Sequence, residues 1–498
     1  MNVNPITRLD YPDPDVIRVE DTYYMVSTTM HFMPGCEILQ SFDLVHWEHA
    51  TYVYETLDHT DAQQLKSGQN IYGQGMWAAS LRYHEGRFYI CFVANDTRKT
   101  YLYTSEKIDG PWKKQLIEGF YHDGSLLFDE DGRNYIVYGN DEIWITELNE
   151  DLTAPKKDGL HRLLVSDHKN PELGYEGSHI QKINGYYYIF LVHSLRDRWM
   201  RTEACFFSDS LEGEFTGGDV LCDDRGYCGQ GVAQGGIVDT PDGKWYAMLF
   251  QDSGAVGRIP ILLPVTWKDH FPFFGQNGHV PEEIEVHSTR PGYIYQPLVG
   301  SDDFCNGLLP RWQFNHDPDP RYYHLDALQG TYTITTREVC TELTQAVNTL
   351  TQRMSYPSCA AEVTVDASAL KEGDVAGLCA LQGCYAAVGI TKHHGKYEVL
   401  MLDKKEDGIL DMTEGTVVES HQMDFRLEAD FCNMKDEARC YYRVNKGDWL
   451  PIGTVHKLYF KLDHFTGCRF GLFCYAAEET GGSACFRDFK YYDVDEIS

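Results

Sequence analysis

Five times in the first part of the chain, a short apolar strand opens on a small, polar or acidic residue. Each is followed, across a tight turn, by a strand rich in aromatics. The five openings are Asp13, Ala78, Asp123, Glu176 and Gln234, each eleven or twelve residues before an aromatic of its second strand (Tyr24, Tyr89, Tyr135, Tyr187 and Tyr246). Four of the turns carry Glu85-Gly86, Asp131-Gly132, Asn184-Gly185 and Asp242-Gly243, where glycine supplies the positive φ that a tight hairpin demands. Successive openings lie 45 to 65 residues apart, room for one four-stranded sheet each, and almost no helical periodicity intervenes. Repeated units of that size imply blades around a channel. The chain is therefore expected to be all-β, with a five-bladed β-propeller over residues 1–295. Unrelated hairpins in a large sandwich would not keep their openings in phase.

From Ser301 the pattern changes. Ser301-Asp302-Asp303-Phe304 and Leu309-Pro310-Arg311-Trp312-Gln313-Phe314 lead into short alternating strands such as Cys359–Val365, and Arg469–Tyr475 reads as a buried strand near the end. Regular strands separated by turn residues imply a β-sandwich, here a concanavalin A-like or jelly-roll domain over residues 301–498, expected to act as a structural buttress.

Composition narrows the partners. A formal net charge of −32 argues against nucleic acid and against an anionic membrane, since both select clustered Lys and Arg. A neutral ligand suits it better, and 33 Tyr with 9 Trp offer flat rings for one with apolar faces, such as a sugar. The 15 cysteines show no CxxC spacing, and several sit in apolar runs, as in Tyr89-Ile90-Cys91-Phe92. That reads as free thiols in a reducing compartment. Residues 1–7 lack a charged-then-apolar leader and no apolar run has membrane-spanning length, so a cytoplasmic location is expected.

Blades are related by rotation, so equivalent positions meet near the axis. Around the ring the openings read Asp, Ala, Asp, Glu, Gln. Three carboxylates brought to one axis repel and push one another's pKa values up, a poor choice for stability but the arrangement acid–base catalysis uses. Glycoside hydrolysis needs one carboxylic acid to protonate the leaving oxygen and one carboxylate to activate water; the third can position the sugar.

The motifs resemble glycoside hydrolase family 43. Asp13-Pro14-Asp15-Val16 looks like its general-base segment, His122-Asp123-Gly124-Ser125-Leu126 like its pKa-modulating aspartate segment, and Tyr175-Glu176-Gly177-Ser178-His179 like its general-acid segment. Phe32-Met33-Pro34-Gly35, Met76-Trp77-Ala78, Gln234-Gly235-Gly236 and Gly257-Arg258-Ile259-Pro260 match in order and spacing. The resemblance implies that Asp13 is the base, Glu176 the acid, and Asp123 the residue that orients Glu176 and holds its pKa up. It implies inversion of configuration, Arg258 and Gln234 as sugar contacts, and Phe32 and Trp77 as pocket walls. Family members often place a His before Gln-Gly-Gly to help hold calcium on the axis. Ala233 stands there in this chain, so no metal ligand is assigned and no cofactor is expected to be required, a structural calcium on the axis staying open. The substrate implied is an arabinoxylo- or xylo-oligosaccharide, with α-L-arabinofuranosidase activity first and β-D-xylosidase activity beside it. A non-catalytic carbohydrate-binding propeller is disfavoured because all three carboxylates are present. Oligomeric state is not legible.

Overall fold

The computed structural model describes residues 2–413 and 415–493. Its first part is five four-stranded antiparallel sheets, four of them built from strands consecutive in sequence and the first interrupted only by the short strand Phe32–Met33. Blade 1 runs from Asp15–Val19 to Glu48–Tyr54, blade 2 from Met76–His84 to Lys113–Ile117, and blade 3 from Ser125–Phe128 to His161–Ser166. Blade 4 runs from Glu176–Ile183 to Thr216–Leu221, and blade 5 from Val232–Asp239 to Phe271–Phe274. The first strand of every blade touches the first strands of both neighbours, which closes a ring about the axis.

The expected turn chemistry forms. In blades 2 and 4 the two-residue turns Glu85-Gly86 (φ 48° and 76°) and Asn184-Gly185 (φ 51° and 86°) are both left-handed, matching the type I′ hairpin. In blades 3 and 5 the turn lengthens. Asp129 and Thr240 close it by backbone bonds with Arg133 and Lys244, which absorbs the extra residue in those repeats.

What holds the ring is hydrophobic cement between blades. Leu102 and Cys91 of blade 2 meet Leu126 and Ile136 of blade 3; Tyr188 and Phe190 of blade 4 meet Ile237 and Leu263 of blade 5. The last interface joins Val16 and Met25 of blade 1 to Val238 and Met248 of blade 5. Each such side chain, fully buried, contributes about 1.5–3 kcal/mol. Among the described residues, blades 1 and 5 each keep their own four strands, and Asn2–Val3 pairs with Glu283–Ile284 beyond blade 5. The Asn4 side chain also bonds both the amide and the carbonyl of Leu262, at 3.1 and 2.7 Å, and Arg18 pairs with Asp239.

The second part is a sandwich of two sheets, with Leu378 and Val388 of one packed against Val363 and Phe425 of the other. Arg469–Tyr475 is a fully buried strand, as expected. The sequence did not indicate that a propeller segment, Phe32–Met33, joins the sandwich's larger sheet by pairing with Gln313–Asn315. The junction is also charged. Arg353 of the sandwich inserts beside Glu37 (2.9 Å), lies over the Tyr11 ring (4.0 Å) and donates to the Asp10 carbonyl (2.9 Å). Glu37 and Arg353 are 2% and 4% exposed, so removing one strands the other's charge, at about 3–5 kcal/mol.

The two parts therefore share backbone pairing and a buried ion pair. Calorimetry is expected to give one unfolding transition, and Arg353→Ala should lower it without splitting it. Two separate transitions in the native protein would contradict this coupling.

Candidate active site

The openings of the five blades are shaped by two backbone devices. Asp13, Asp123 and Gln234 hold left-handed φ values of 53°, 47° and 66°, which cost a non-glycine residue of order 1–3 kcal/mol each and concentrate at functional sites. In blades 2, 4 and 5 the first strand breaks register at the same place, between Trp77 and Ser80, Glu176 and His179, and Ala233 and Gly236. A bulge there re-aims the side chain. Gly177 turns at φ 65°, and a Cβ on it would lie 2.7 Å from the Gln234 side chain.

Asp13 is buried with both oxygens occupied. Thr28 Oγ1 donates to Oδ2 at 2.6 Å and Arg258 Nη1 to Oδ1 at 2.8 Å. Arg258 is 2% exposed, with its guanidinium 4.2 Å from the Phe465 ring centroid and 5.4 Å from that of Phe250. Its amide donates to Asp10 Oδ1 at 2.7 Å, while Asp10 Oδ2 accepts from Gly467 at 2.8 Å. Its Nε and Nη2 have no hydrogen-bond partner among the described residues. Buried donors without partners are uncommon; two of them beside a buried carboxylate suit the hydroxyls of a bound sugar.

Asp123 accepts from the Gly177 amide at 2.9 Å, so it braces the backbone that carries Glu176. Glu176 Oε2 accepts from Asn140 Nδ2 at 2.6 Å and meets His122 Nε2 at 3.4 Å. The same His122 nitrogen lies 3.6 Å from Asp123 Oδ2. Asp123 chiefly, together with Glu176 and Asp13, drives the His122 pKa up to about 9 against its burial. Burial, with help from Glu176 and Asp13 and against His122, lifts Asp123 to about 6. For Glu176, burial alone would raise the pKa. His122, Arg201 and Asn140 outweigh it and hold the carboxyl below its usual value.

That corrects one expectation. Asp123 does orient Glu176, through Gly177, but in the open pocket the raised carboxyl is Asp123 and the lowered one Glu176. The cause is an imidazolium against the acid.

The remaining expected residues separate. Trp77 stands on the pocket side, its ring 5.5 Å from Phe465 and 6.3 Å from His122. Phe32 is 1% exposed and covered by Arg469 at 3.5 Å, so it packs the junction behind the pocket. Gln234 is buried, its amide bonded to Glu203 at 2.7 Å and its side chain over Gly177; it supports Glu176's backbone. Four contributors were not anticipated: His122, Asn140, Arg201 and Phe465. His122 carried a signal, adjacency to Asp123. Phe465 carried none, since it reaches Trp77 and Arg258 from the far end of the sequence.

Among the described residues, His122, Asp123 and Glu176 are the group whose donor atoms gather most closely, within 4.8 Å. The carboxylates raise the His122 pKa to about 9, which favours an imidazolium in that cluster. Deeper on the axis, Asp15 Oδ2 is taken by Arg82 Nη1 (2.7 Å) and the Leu81 amide (2.8 Å), with His179 Nδ1 3.1 Å from Oδ1. Arg82 also bonds Ser125 and the Ile180 carbonyl. A guanidinium spans this level where a dication would need open carboxylate oxygens.

Residues 3–272 match the model of glycosyl hydrolases family 43, and residues 301–492 match the beta xylosidase C-terminal concanavalin A-like domain. The chain belongs to glycosyl hydrolase family 43. Among curated relatives, a beta-xylosidase of Formosa agariphila is 26% identical, covering 99% of this chain and 89% of its own length. A non-reducing end alpha-L-arabinofuranosidase of Bacteroides ovatus is 25% identical over 66% of this chain and 63% of its own. Among solved structures, a bifunctional family 43 protein of Bacteroides eggerthii superposes with a TM-score of 0.92 at 42% identity; it covers 99% of this chain, which spans 64% of that longer protein. A family 43 enzyme engineered to display endo-xylanase and exo-arabinofuranosidase activity gives 0.86 at 27% identity, covering 99% of both chains. Like the rest of family 43, this chain is a glycoside hydrolase with a propeller that carries its carboxylates.

Two outcomes follow from the site. Arg258→Lys keeps the charge but loses the planar fork and its unpartnered donors; kcat/KM should fall about 10²-fold or more with thermal stability little changed. Glu203 is fully buried, and burial holds its carboxyl well above the usual range. A folded-state pKa above the unfolded one means that stability is lost as pH rises past the unfolded value. Glu203→Gln keeps the oxygen that accepts from Gln234, so melting curves should show a gain of roughly 2 °C or more at pH 8 and a smaller one at pH 5.

Proposed function

We propose that this family 43 hydrolase is an exo-acting, inverting enzyme that releases terminal L-arabinofuranose, and D-xylose beside it, from arabinoxylan-derived oligosaccharides. The observation that carries the reading is the separation of the carboxylates into two environments. Asp13 is fixed by Arg258 and Thr28 on one side; Glu176 is held by His122 and Asn140 on the other. A base locked in orientation and an acid in contact with a proton donor suit a reaction in which water attacks one face of the sugar while the leaving oxygen departs from the other. Asp13 takes the proton of the attacking water, Glu176 protonates the glycosidic oxygen, and the free Arg258 donors bind hydroxyls of the reacting sugar. Trp77 and Phe465 give flat apolar walls for its ring. Because Phe465 belongs to the sandwich, that domain closes one side of the pocket, which favours attack at a chain end. As part of the same proposal, the enzyme's free cysteines suit a reducing compartment, the cytoplasm, with imported short oligosaccharides as substrate.

A second reading, in which β-D-xylosidase activity predominates, is favoured by the relatives named beta-xylosidase and by the description of the matched C-terminal domain. Product analysis on arabinoxylo-oligosaccharides separates the two: arabinose released first supports the first reading, stepwise xylose release from unbranched chains the second. Glu176→Ala should lose at least about 10³-fold in kcat on these natural substrates and much less on nitrophenyl glycosides, whose leaving group needs little protonation. Equal losses on both would remove Glu176 from the acid role. No step is assigned to a metal, so exhaustive dialysis against a chelator should leave the rate within about twofold, an effect below 0.5 kcal/mol on the barrier.

A further inference from the structure

His122 touches Glu176, yet the reaction as described so far gives it no task. It lies on the loop before blade 3, half-buried, and is surrounded by negative charge. Asp123 adjoins it on the same loop, Glu176 approaches from blade 4 and Asp13 acts from blade 1. Blade 2 presents the uncharged Trp77 ring. Asn140 of blade 3 bonds Glu176, and the nearby cation Arg201 is committed to Asp252 at 2.8 Å. Nε2 of His122 is thus shared between Glu176 Oε2 at 3.4 Å and Asp123 Oδ2 at 3.6 Å.

This arrangement raises a problem for the acid. His122 Nε2 stands within reach of both carboxylates, which favour the imidazolium, while its charge favours the ionised form of Glu176. Glu176 cannot protonate a leaving group from that state. We propose that His122 stores the proton Glu176 delivers: it rides on Nε2 in the open pocket and crosses to Oε2 of Glu176 when a sugar fills the site. The proposal rests on the reading of Glu176 as the general acid.

The transfer is balanced. One N–H bond of the imidazolium breaks and one O–H bond of Glu176 forms, so a cation and an anion become two neutral groups with net charge unchanged. Glu176 then gives that proton to the glycosidic oxygen as the C–O bond to the anomeric carbon breaks. Water supplies its oxygen to that carbon and a proton to Asp13. Asp13 returns a proton to solvent and His122 takes one up. The push comes from desolvation: expelling water weakens an ion pair more than a neutral pair. His122 acts through Glu176 and is a positioning residue for the proton.

The pH profile of kcat/KM on an unactivated oligosaccharide separates this role from a structural one. The last proton of the native cluster leaves from His122, whose pKa is about 9, so the alkaline limb should fall near there. In His122→Asn only the carboxyls remain to hold the proton, and the limb should move down by at least one pH unit. A limb that stays in place, or a loss uniform across pH, would make His122 structural. A limb that moves up would make it only a cation that depresses Glu176. Each of these overturns the proposal.

Imidazole NMR on histidine-labelled protein needs no His122 substitution except for assignment. Free protein should show a ring titrating near pH 9. In Asp13→Asn at pH 7, saturation with the oligosaccharide that wild type cleaves should convert that ring to the neutral form. An imidazolium that persists in the complex contradicts the store. Wild-type hydrolysis, measured first, tests the functional reading separately; hydrolysis without a histidine titrating near 9 would defeat the store alone.

Discussion

One buried guanidinium organises the pocket. Arg258 fixes Asp13 through Nη1, is faced by Phe465, and is tied through its amide to Asp10, whose other oxygen holds Gly467 of the sandwich. The proposed base, two unpartnered donors and the Phe465 ring are therefore tied to a single residue at the start of the third strand of blade 5. The loop that carries Phe465 is held at the same point, since Cys468 donates to the Ala255 carbonyl at 2.8 Å and Gln382 to the same oxygen at 3.0 Å. Burying this polar structure is offset where its atoms are matched, as both oxygens of Asp13 and both oxygens of Asp10 are. The two Arg258 nitrogens left over are the donors that the proposed reading gives to a bound sugar.

Across the axis the logic is different. Asp13 is held by geometry, whereas Glu176 is governed by competition for a proton among His122, Asp123 and itself. One fold runs both because the blades supply each side chain separately, from left-handed openings and register breaks rather than from a single rigid element. The strain at Asp13 and Asp123 and the buried Glu203 are local costs offset by the five interblade cores.

The ring and its carboxylates were legible because rotation turns a sequence phase into a spatial meeting. Counting back from Tyr24, Tyr135 and Tyr187 locates three positions that the structure brings to one mouth. The turn residues were legible for the same local reason. What escaped is non-local. The pairing of Phe32–Met33 with the sandwich makes Phe32 a junction residue instead of a pocket wall, and no pattern within blade 1 encodes that. Phe465 reaches the site only through the placement of one domain on the other. The inverted order of the Glu176 and Asp123 pKa values depends on His122, and a motif read by its acid alone does not reveal what the preceding side chain does to it.

The central claim is that Asp13 and Glu176 act on opposite faces of one sugar, as base and acid. Proton NMR during hydrolysis, recorded before mutarotation, tests it most directly. The account predicts that the first-formed sugar has the anomeric configuration opposite to that of the substrate. A first-formed sugar that retains the substrate's configuration would contradict it, because retention requires a carboxylate to attack the sugar itself.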